Sequence, residues 1–478
     1  MMRTLTLTLA SFLSLASFAQ APTIAWDAPV DCNAPAQGML RPRIALNASG
    51  APVVLWGASG PARNYVAIGS GTGFTSAMEV STPGCVPAVA DWMGSSIAAV
   101  GNTVWVVMKA TPEETKPVYA RRSDDGGSTW GDTMRVDPFD GLVSRFPTIA
   151  LSDPDLPVVQ YMQFDGGWNG ARQVVTHMMG GAFMSPVQIS TPYAPGEVCD
   201  CCPNQIMVQD NKAVALYRNA GSNIRVIWGA TSLDGGMTFP VGNEVDATGW
   251  VLNACPSSGP DGYLAGDSVR YVWMSGASNG TKVHIGTALA ADLSTGTQRF
   301  VMPGEASGVQ QNFPRIAGVG DTLGVVWEQY TNGARDIFFS WSVSGVNGLS
   351  AAEIVNVDLT GSQRTPDIAY ADGAFHIVWG EAGTNQVRYR RAVIQSGVGI
   401  DDATASDTHF RFDPTDNSVV LSGGSWTSAE VFDAQGKLVH AATVRNDRVK
   451  LRDLPQAIHV LRVRGPGDRI AEWRFFNR

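Results

Sequence analysis

The chain is poor in charge. Asp, Glu, Lys and Arg make up 16% of its 478 residues, against ~25% in ordinary soluble domains. It has no basic excess either. The formal net charge is −9, which excludes the electropositive face that a nucleic-acid partner requires. Beyond the N-terminus no apolar run approaches the ~20 residues of a membrane-spanning helix. Disorder is excluded as the main state, because 44% of the residues are hydrophobic.

What is abundant points to strands and turns. There are 52 Gly and 14 Trp, a composition suited to short strands joined by tight turns rather than to helices. The charge is also unevenly placed. Residues 401–478 hold 11 basic and 11 acidic side chains, so the whole of the −9 lies before them.

The first 21 residues read as a signal peptide. Arg3 supplies the positive start, Leu5 to Phe18 the apolar stretch, and Ala19-Gln20-Ala21 the small-x-small cleavage site. A membrane anchor is the alternative, but the run is short for one. Export places all six cysteines where disulfides persist.

A phrase built on Pro-x-Ile-Ala recurs along the chain. It stands at Pro42-Arg43-Ile44-Ala45, Pro147-Thr148-Ile149-Ala150, Pro314-Arg315-Ile316-Ala317 and Pro366-Asp367-Ile368-Ala369. Degenerate copies begin at Cys202-Pro203 and Cys255-Pro256, and an unanchored one lies around Ile97-Ala98-Ala99. Seven copies result, with a mean period of 54 residues. About ten residues after each Pro comes an apolar strand, often bearing Trp, as in Val53-Val54-Leu55-Trp56 and Val325-Val326-Trp327. A third strand follows, as in Asn223 to Trp228, and then a short fourth, as in Pro186 to Ile189. Four strands per ~50 residues is the unit of a β-propeller blade. The fold expected is therefore all-β: a seven-bladed propeller over residues 22–395, with six blades as the alternative. The last copy lacks a fourth strand, and Thr23 to Val30 is expected to supply it and close the ring.

Two copies carry a sharper turn. Ser123-Asp124-Asp125-Gly126-Gly127-Ser128-Thr129-Trp130 fits S-x-D-x-G-x-T-W, and Ser232 to Phe239 fits it with Phe in place of Trp. The Asp carboxylate can accept backbone N–H bonds across a hairpin, Gly supplies positive φ, and the ring packs back on the blade. Ser123, Asp125, Gly127, Trp130, Ser232, Asp234, Gly236 and Phe239 are thus expected to be structural. The signature resembles the Asp-box, or bacterial neuraminidase repeat, of the sialidase-like superfamily, over roughly residues 23–395. The resemblance implies an extracellular glycan as partner and, for a sialidase, glycoside hydrolysis. In that family three arginines hold the substrate carboxylate bidentately, a Tyr–Glu pair is the nucleophile and an Asp the acid/base. The family's Phe-Arg-Ile-Pro motif is missing; the nearest text is Pro42-Arg43-Ile44-Ala45. Arg43 and Arg315 share a register that points two guanidiniums at the central funnel, and Arg218 and Arg364 are candidates for a third. Asp91, Glu328, Asp367 and Glu381 are the acidic candidates, and Tyr161, Tyr217 and Tyr330 the phenolic ones. The competing expectation is a glycan- or protein-binding propeller without chemistry, in which these polar groups are solvated or knit blades together.

Cys199-Asp200-Cys201-Cys202-Pro203 is the most unusual string. Cys202 and Cys255 lie one repeat apart, as do Cys32 and Cys85, so two cross-blade disulfides are expected, with Cys199 and Cys201 paired together or reduced. No cofactor is expected. A thiolate metal site from Cys199, Cys201, Cys202 and Cys255 is the alternative. The Cys-x-Cys-Cys-Pro string together with Cys255 to Pro260 resembles a subset of bacterial sialidase-like propellers.

Residues 396–407 read as a Gly/Ala/Ser/Asp linker. Residues 408–478 read as a small β-sandwich of about seven strands, including a hairpin turning at Gln435-Gly436. This tail resembles the type A sorting domain of the type IX secretion system. The resemblance implies a secreted or surface-attached protein whose C-terminus meets the secretion machinery; a carbohydrate-binding or spacer sandwich is the alternative.

Overall fold

The computed structural model describes residues 21–395 and 409–476, apart from 192, 332, 414, 424, 434–435, 452–453, 456 and 467–469. The apolar leader, all but Ala21 of the expected signal peptide, and the linker lie outside the described residues. Two compact units are present, one of them Pro22–Gln395 and the other containing the C-terminal segment. No helix among the described residues is long and apolar enough to cross a membrane.

Pro22–Gln395 contains seven antiparallel sheets of four or five strands. Their innermost strands are Leu40–Leu46, Ser96–Val100, Val143–Ala150, Gln205–Gln209, Asp261–Ala265, Gln310–Val319 and Gln363–Ala371. Each contacts the next, and the seventh contacts the first, so the sheets form a closed ring. Closure is made as expected: Thr23–Trp26 pairs antiparallel with Gln386–Gln395, from Thr23 opposite Gln395 to Trp26 opposite Ala392. The outer edge strand of the last sheet thus comes from the N-terminal side of the propeller, so the two ends of the ring are held in one sheet.

Strand pairing fixes which residues face the axis. The inner residue after the repeat Pro pairs with a second-strand residue, as Arg43 with Leu55, Asp261 with Val272, Arg315 with Val326 and Asp367 with Val378. One residue further along the second strands stand Trp56, Met108, Tyr161, Tyr217, Trp273, Trp327 and Trp379. Each belongs to a different hydrophobic cluster, one per seam between neighbouring sheets. All seven are 2% exposed or less. Burying a side chain of this size is worth roughly 3–5 kcal/mol by truncation, so the seams contribute strongly to the fold.

Two readings of the repeat need correction. In the fifth sheet the inner strand begins at Asp261, so Pro260, not Pro256, is the repeat proline. In the fourth sheet the third strand begins at Ile227, because Gly221–Asn223 forms a 3₁₀ turn first.

Both Asp-boxes fold as the turn chemistry dictates. Asp125 accepts from the Thr129 N–H at 2.8 Å and the Thr129 hydroxyl at 2.6 Å, and Ser123 Oγ accepts from the Gly127 N–H at 2.9 Å. Asp234, Thr238, Ser232 and Gly236 repeat the pattern. Gly127 and Gly236 sit at φ 98° and 89°, which a Cβ would disfavour. Trp130 and Phe239 pack on hydrophobic seams.

Among its described residues the C-terminal unit has two sheets, one of three strands and one of four. Val419, Leu421 and Val449 from the first share a core with Ala429, Val431, Leu461, Val463 and Phe475 from the second. This is a small β-sandwich, as expected. Its hairpin joins Ser428–Phe432 to Leu438–Thr443, with Gly436 at φ 78°.

Candidate functional site: the central channel

The site is built by one register position repeated seven times. The residues at it are Arg43, Ser96, Thr148, Gln205, Asp261, Arg315 and Asp367, one from each inner strand. A cavity of about 380 Å³ runs along the axis, and six of the seven line it, all but Thr148. In four copies the residue just before the repeat Pro is left-handed: Arg41 (φ 44°), Phe146 (51°), Phe313 (47°) and Thr365 (45°). The ladder slips there in each case. Such bulges re-aim side chains at the rim of a ring and cost of order 1 kcal/mol or more each.

Charge in the channel is partly matched. Arg315 Nε donates to Asp367 Oδ1 at 2.7 Å, and its Nη1 lies 3.2 Å from Asp261 Oδ1. Each Asp also ties down the next blade. The Ile316 N–H donates to Asp261 Oδ2 at 2.8 Å, and the Ile44 N–H to Asp367 Oδ2 at 3.0 Å. Burial disfavours the charge on Arg315, but Asp261 and Asp367 outweigh it and its pKa rises. Burial pushes Asp261 up. Arg43 differs. Its Nη1 donates to the Pro42 carbonyl at 2.8 Å, and among the described residues it has no carboxylate within salt-bridge reach. Burial, and then the charge of Arg315, bring it down to about 10. Arg41, also buried, donates to the Gly94 carbonyl at 3.2 Å. The channel therefore holds a guanidinium with no salt bridge among the described residues, beside an Asp–Arg–Asp group in which two carboxylates face one guanidinium.

Of the sequence candidates, Arg43, Arg315 and Asp367 come together here. Arg218, Glu328 and Tyr217 do not. Arg218 and Glu328 both lie two residues past the ring's pairing partner on their second strands, where side chains knit to the following sheet. Arg218 donates to the carbonyls of Ser258 (3.0 Å), Met274 (2.7 Å) and Arg225 (2.5 Å). Glu328 meets Arg364 Nε at 3.3 Å, Arg335 Nε at 3.1 Å and the Thr365 N–H at 2.9 Å; burial raises its pKa against those partners. It lines a second cleft of about 440 Å³ with Trp250, Asn312 and Arg335. Tyr217 and Tyr161 fill seam positions that Trp holds elsewhere. The Tyr217 hydroxyl donates to the Ile189 carbonyl at 3.3 Å, and burial raises the pKa of both phenols. Tyr263, which lines the channel, donates its hydroxyl to the Gly320 carbonyl. Of the remaining candidates, Tyr330 is exposed beside Arg335 and Glu381 pairs with Arg388.

Asp91 and Arg364 pair with each other at 3.1 Å. Next to them, Trp92 lies 5.2 Å from the Arg145 guanidinium. Residues 87–95 thus touch the first, third and seventh sheets through Gly94, Trp92 and Asp91.

Asp261 and Gln205 were missed from the sequence. The signal for Asp261 was Gly259-Pro260-Asp261, masked by the earlier Cys255-Pro256. Gln205 was masked because Pro203 stands one residue further from its strand than the other repeat prolines.

The cysteines also differ from expectation. Cys255 is bonded to Cys201, not to Cys202, with the two Cα atoms 6.3 Å apart. Cys32 and Cys85 are free and buried. They sit in two different seams, Cys32 between the seventh and first sheets and Cys85 between the first and second. Burial pushes the Cys85 thiol up to about 12 and raises Cys32 as well.

No family model matches the chain, and no curated protein matches it. Several solved structures are similar to it. One is the polysaccharide lyase Uly1, at 9% identity and TM-score 0.49, covering 77% of this chain and 99% of that one. Another is the GH93 alpha-L-arabinofuranosidase of Fusarium graminearum, at 13% and 0.42, covering 77% and 98%. A third is the sialidase of Trypanosoma rangeli, at 10% and 0.42, covering 95% and 89%. No activity is carried from them to this chain.

Proposed function

We propose that the protein is an exported, sialidase-like Asp-box propeller that binds the anionic group of an extracellular glycan in its central channel. In this reading residues 1–21 direct export, and the C-terminal sandwich serves as a type IX sorting domain. The observation that carries the proposal is Arg43: a buried guanidinium lining the cavity with no carboxylate within salt-bridge reach among the described residues. A fork of this kind takes a carboxylate bidentately, and Ser96 and Gln205, which line the same cavity, supply neutral hydrogen-bonding groups for sugar hydroxyls.

Recognition is favoured over exo-α-sialidase hydrolysis. The phenols Tyr161 and Tyr217 are in the seams, and Glu328 is engaged by two arginines. The test uses purified mature protein on an array of neutral and acidic glycans, together with a fluorogenic sialoside. Binding confined to acidic glycans, weakened about tenfold or more in Arg43→Gln, with no fluorophore release, is expected. Release of the fluorophore would restore the hydrolase reading. Binding indifferent to Arg43 would overturn the channel as the site.

A further inference from the structure

The cysteine string offers chemistry that the channel does not use. Cys199 and Cys202 form a C-x-x-C pair, with the Cys202 N–H donating to the Cys199 carbonyl at 3.2 Å to close the turn. Their sulfurs are 2.7 Å apart, and both residues are buried. Cys201 lies between them, half-buried and bonded to the exposed Cys255. The Cys199 sulfur is 3.5 Å from that of Cys201, and the Cys202 sulfur is 4.0 Å from it. A buried dithiol thus touches a disulfide whose far end reaches solvent.

We propose that Cys199, Cys201, Cys202 and Cys255 form one thiol–disulfide exchange site. The Cys201–Cys255 bond is its port, and Cys199 with Cys202 is the resolving dithiol. In the first step the Cys199 thiolate attacks the Cys201 sulfur. The Cys199–Cys201 bond forms, the Cys201–Cys255 bond breaks, and the electron pair leaves on Cys255, which takes a proton from water. In the second step Cys202 loses its proton and attacks Cys199. The Cys199–Cys202 bond forms, the Cys199–Cys201 bond breaks, and Cys201 leaves as a thiolate that is then protonated. One disulfide and two thiols stand on each side, so no outside oxidant or reductant enters.

The surroundings suit an attacking thiolate. The Cys202 hydrogen bond, with help from the charges of Arg218 and Arg225, brings Cys199 down to about 7 against the effect of burial. Arg218 also holds the turn through its backbone, because the Cys199 N–H donates to the Arg218 carbonyl at 2.9 Å. Among the described residues the Arg218 guanidinium donates to the carbonyls of Ser258, Met274 and Arg225 and pairs with no carboxylate, so its charge stays available to the sulfur. A thiol near neutrality is the most effective nucleophile in such exchange.

Two measurements on the full mature chain test this. First, the native protein is treated with a bulky maleimide, quenched in acid and mapped by mass spectrometry. Labelling of Cys255 in the wild type, reduced about tenfold or more in Cys199→Ser, is expected, since only exchange frees that sulfur. Second, Cys202→Ser removes the resolving thiol and should accumulate the Cys199–Cys201 bond with Cys255 free. This is read in the denatured chain, so it does not depend on native packing. An unlabelled Cys255 in the wild type, or a Cys202→Ser chain that retains only Cys201–Cys255, would overturn the proposal. Four thiols holding zinc or copper would overturn it too and assign the cluster to a metal.

Discussion

Asp367 accepts a hydrogen bond from the Ile44 backbone N–H at 3.0 Å across 323 residues of chain. The same carboxylate receives Arg315 Nε at 2.7 Å. One buried side chain therefore joins the sixth, seventh and first sheets at the seam where the ring closes.

Removing that carboxylate is expected to loosen the ring. Asp367→Ala leaves Arg315 buried with Asp261 alone and orphans the Ile44 N–H. Breaking a buried pair in this way costs about 3 kcal/mol or more. Urea unfolding of the propeller should show the loss. A midpoint equal to wild type would mean that the seam does not depend on Asp367.

Tyr217→Phe separates structure from chemistry. The phenol fills a seam position and gives one hydrogen bond to the Ile189 carbonyl. Its removal should cost about 1 kcal/mol and leave glycan binding unchanged. A variant with wild-type stability and lost function would make Tyr217 a participant in the site.

The Asp-box turn should respond to acid. Hydrogen bonds from Thr129 hold Asp125 down to about 2. A depressed carboxyl pKa adds stability that is complete above the unfolded value near 4 and is lost as pH falls toward 2. The group is exposed, so the effect is about 1 kcal/mol at most. Asp125→Asn should lower stability at pH 7 and flatten the profile between pH 4 and 2. An unchanged slope would show that the turn does not feel the charge.

Two histidines give a second acid window. Burial, with smaller contributions from Lys282 and Arg391, lowers His284 and His376 to about 4, from 6.5. His284 is stacked on Trp273 and tilted against Phe300, and His376 Nδ1 lies 2.7 Å from the Tyr389 hydroxyl. Here the unfolded chain takes up the proton first, so stability should fall as pH drops from about 6.5 to 4. Denaturant midpoints at stepped pH measure this. The double variant His284→Phe, His376→Gln should lose most of the slope, and a slope as steep as wild type would contradict the assignment.

The repeat arithmetic, the apolar second strands, the Asp-box turns and the missing last strand are all legible in the sequence, because each is a local pattern of period, turn residue or alternation. The two-sheet tail is legible for the same reason. Three things required the tertiary structure. Tyr217 and Trp273 do the same work in neighbouring seams, but only strand register reveals the equivalence, since one residue's shift along a strand turns a side chain to the other face. Asp261 stands in the channel because the fifth inner strand begins right after Pro260, not after Pro256. Cys255 chose Cys201 over Cys202 because disulfide formation depends on Cβ direction and Cα separation, and repeat spacing gives neither. Sequence determined which residues recur at each turn of the ring; packing of one blade on the next decided which of them face the axis, because that choice is made by contacts between residues far apart in the chain.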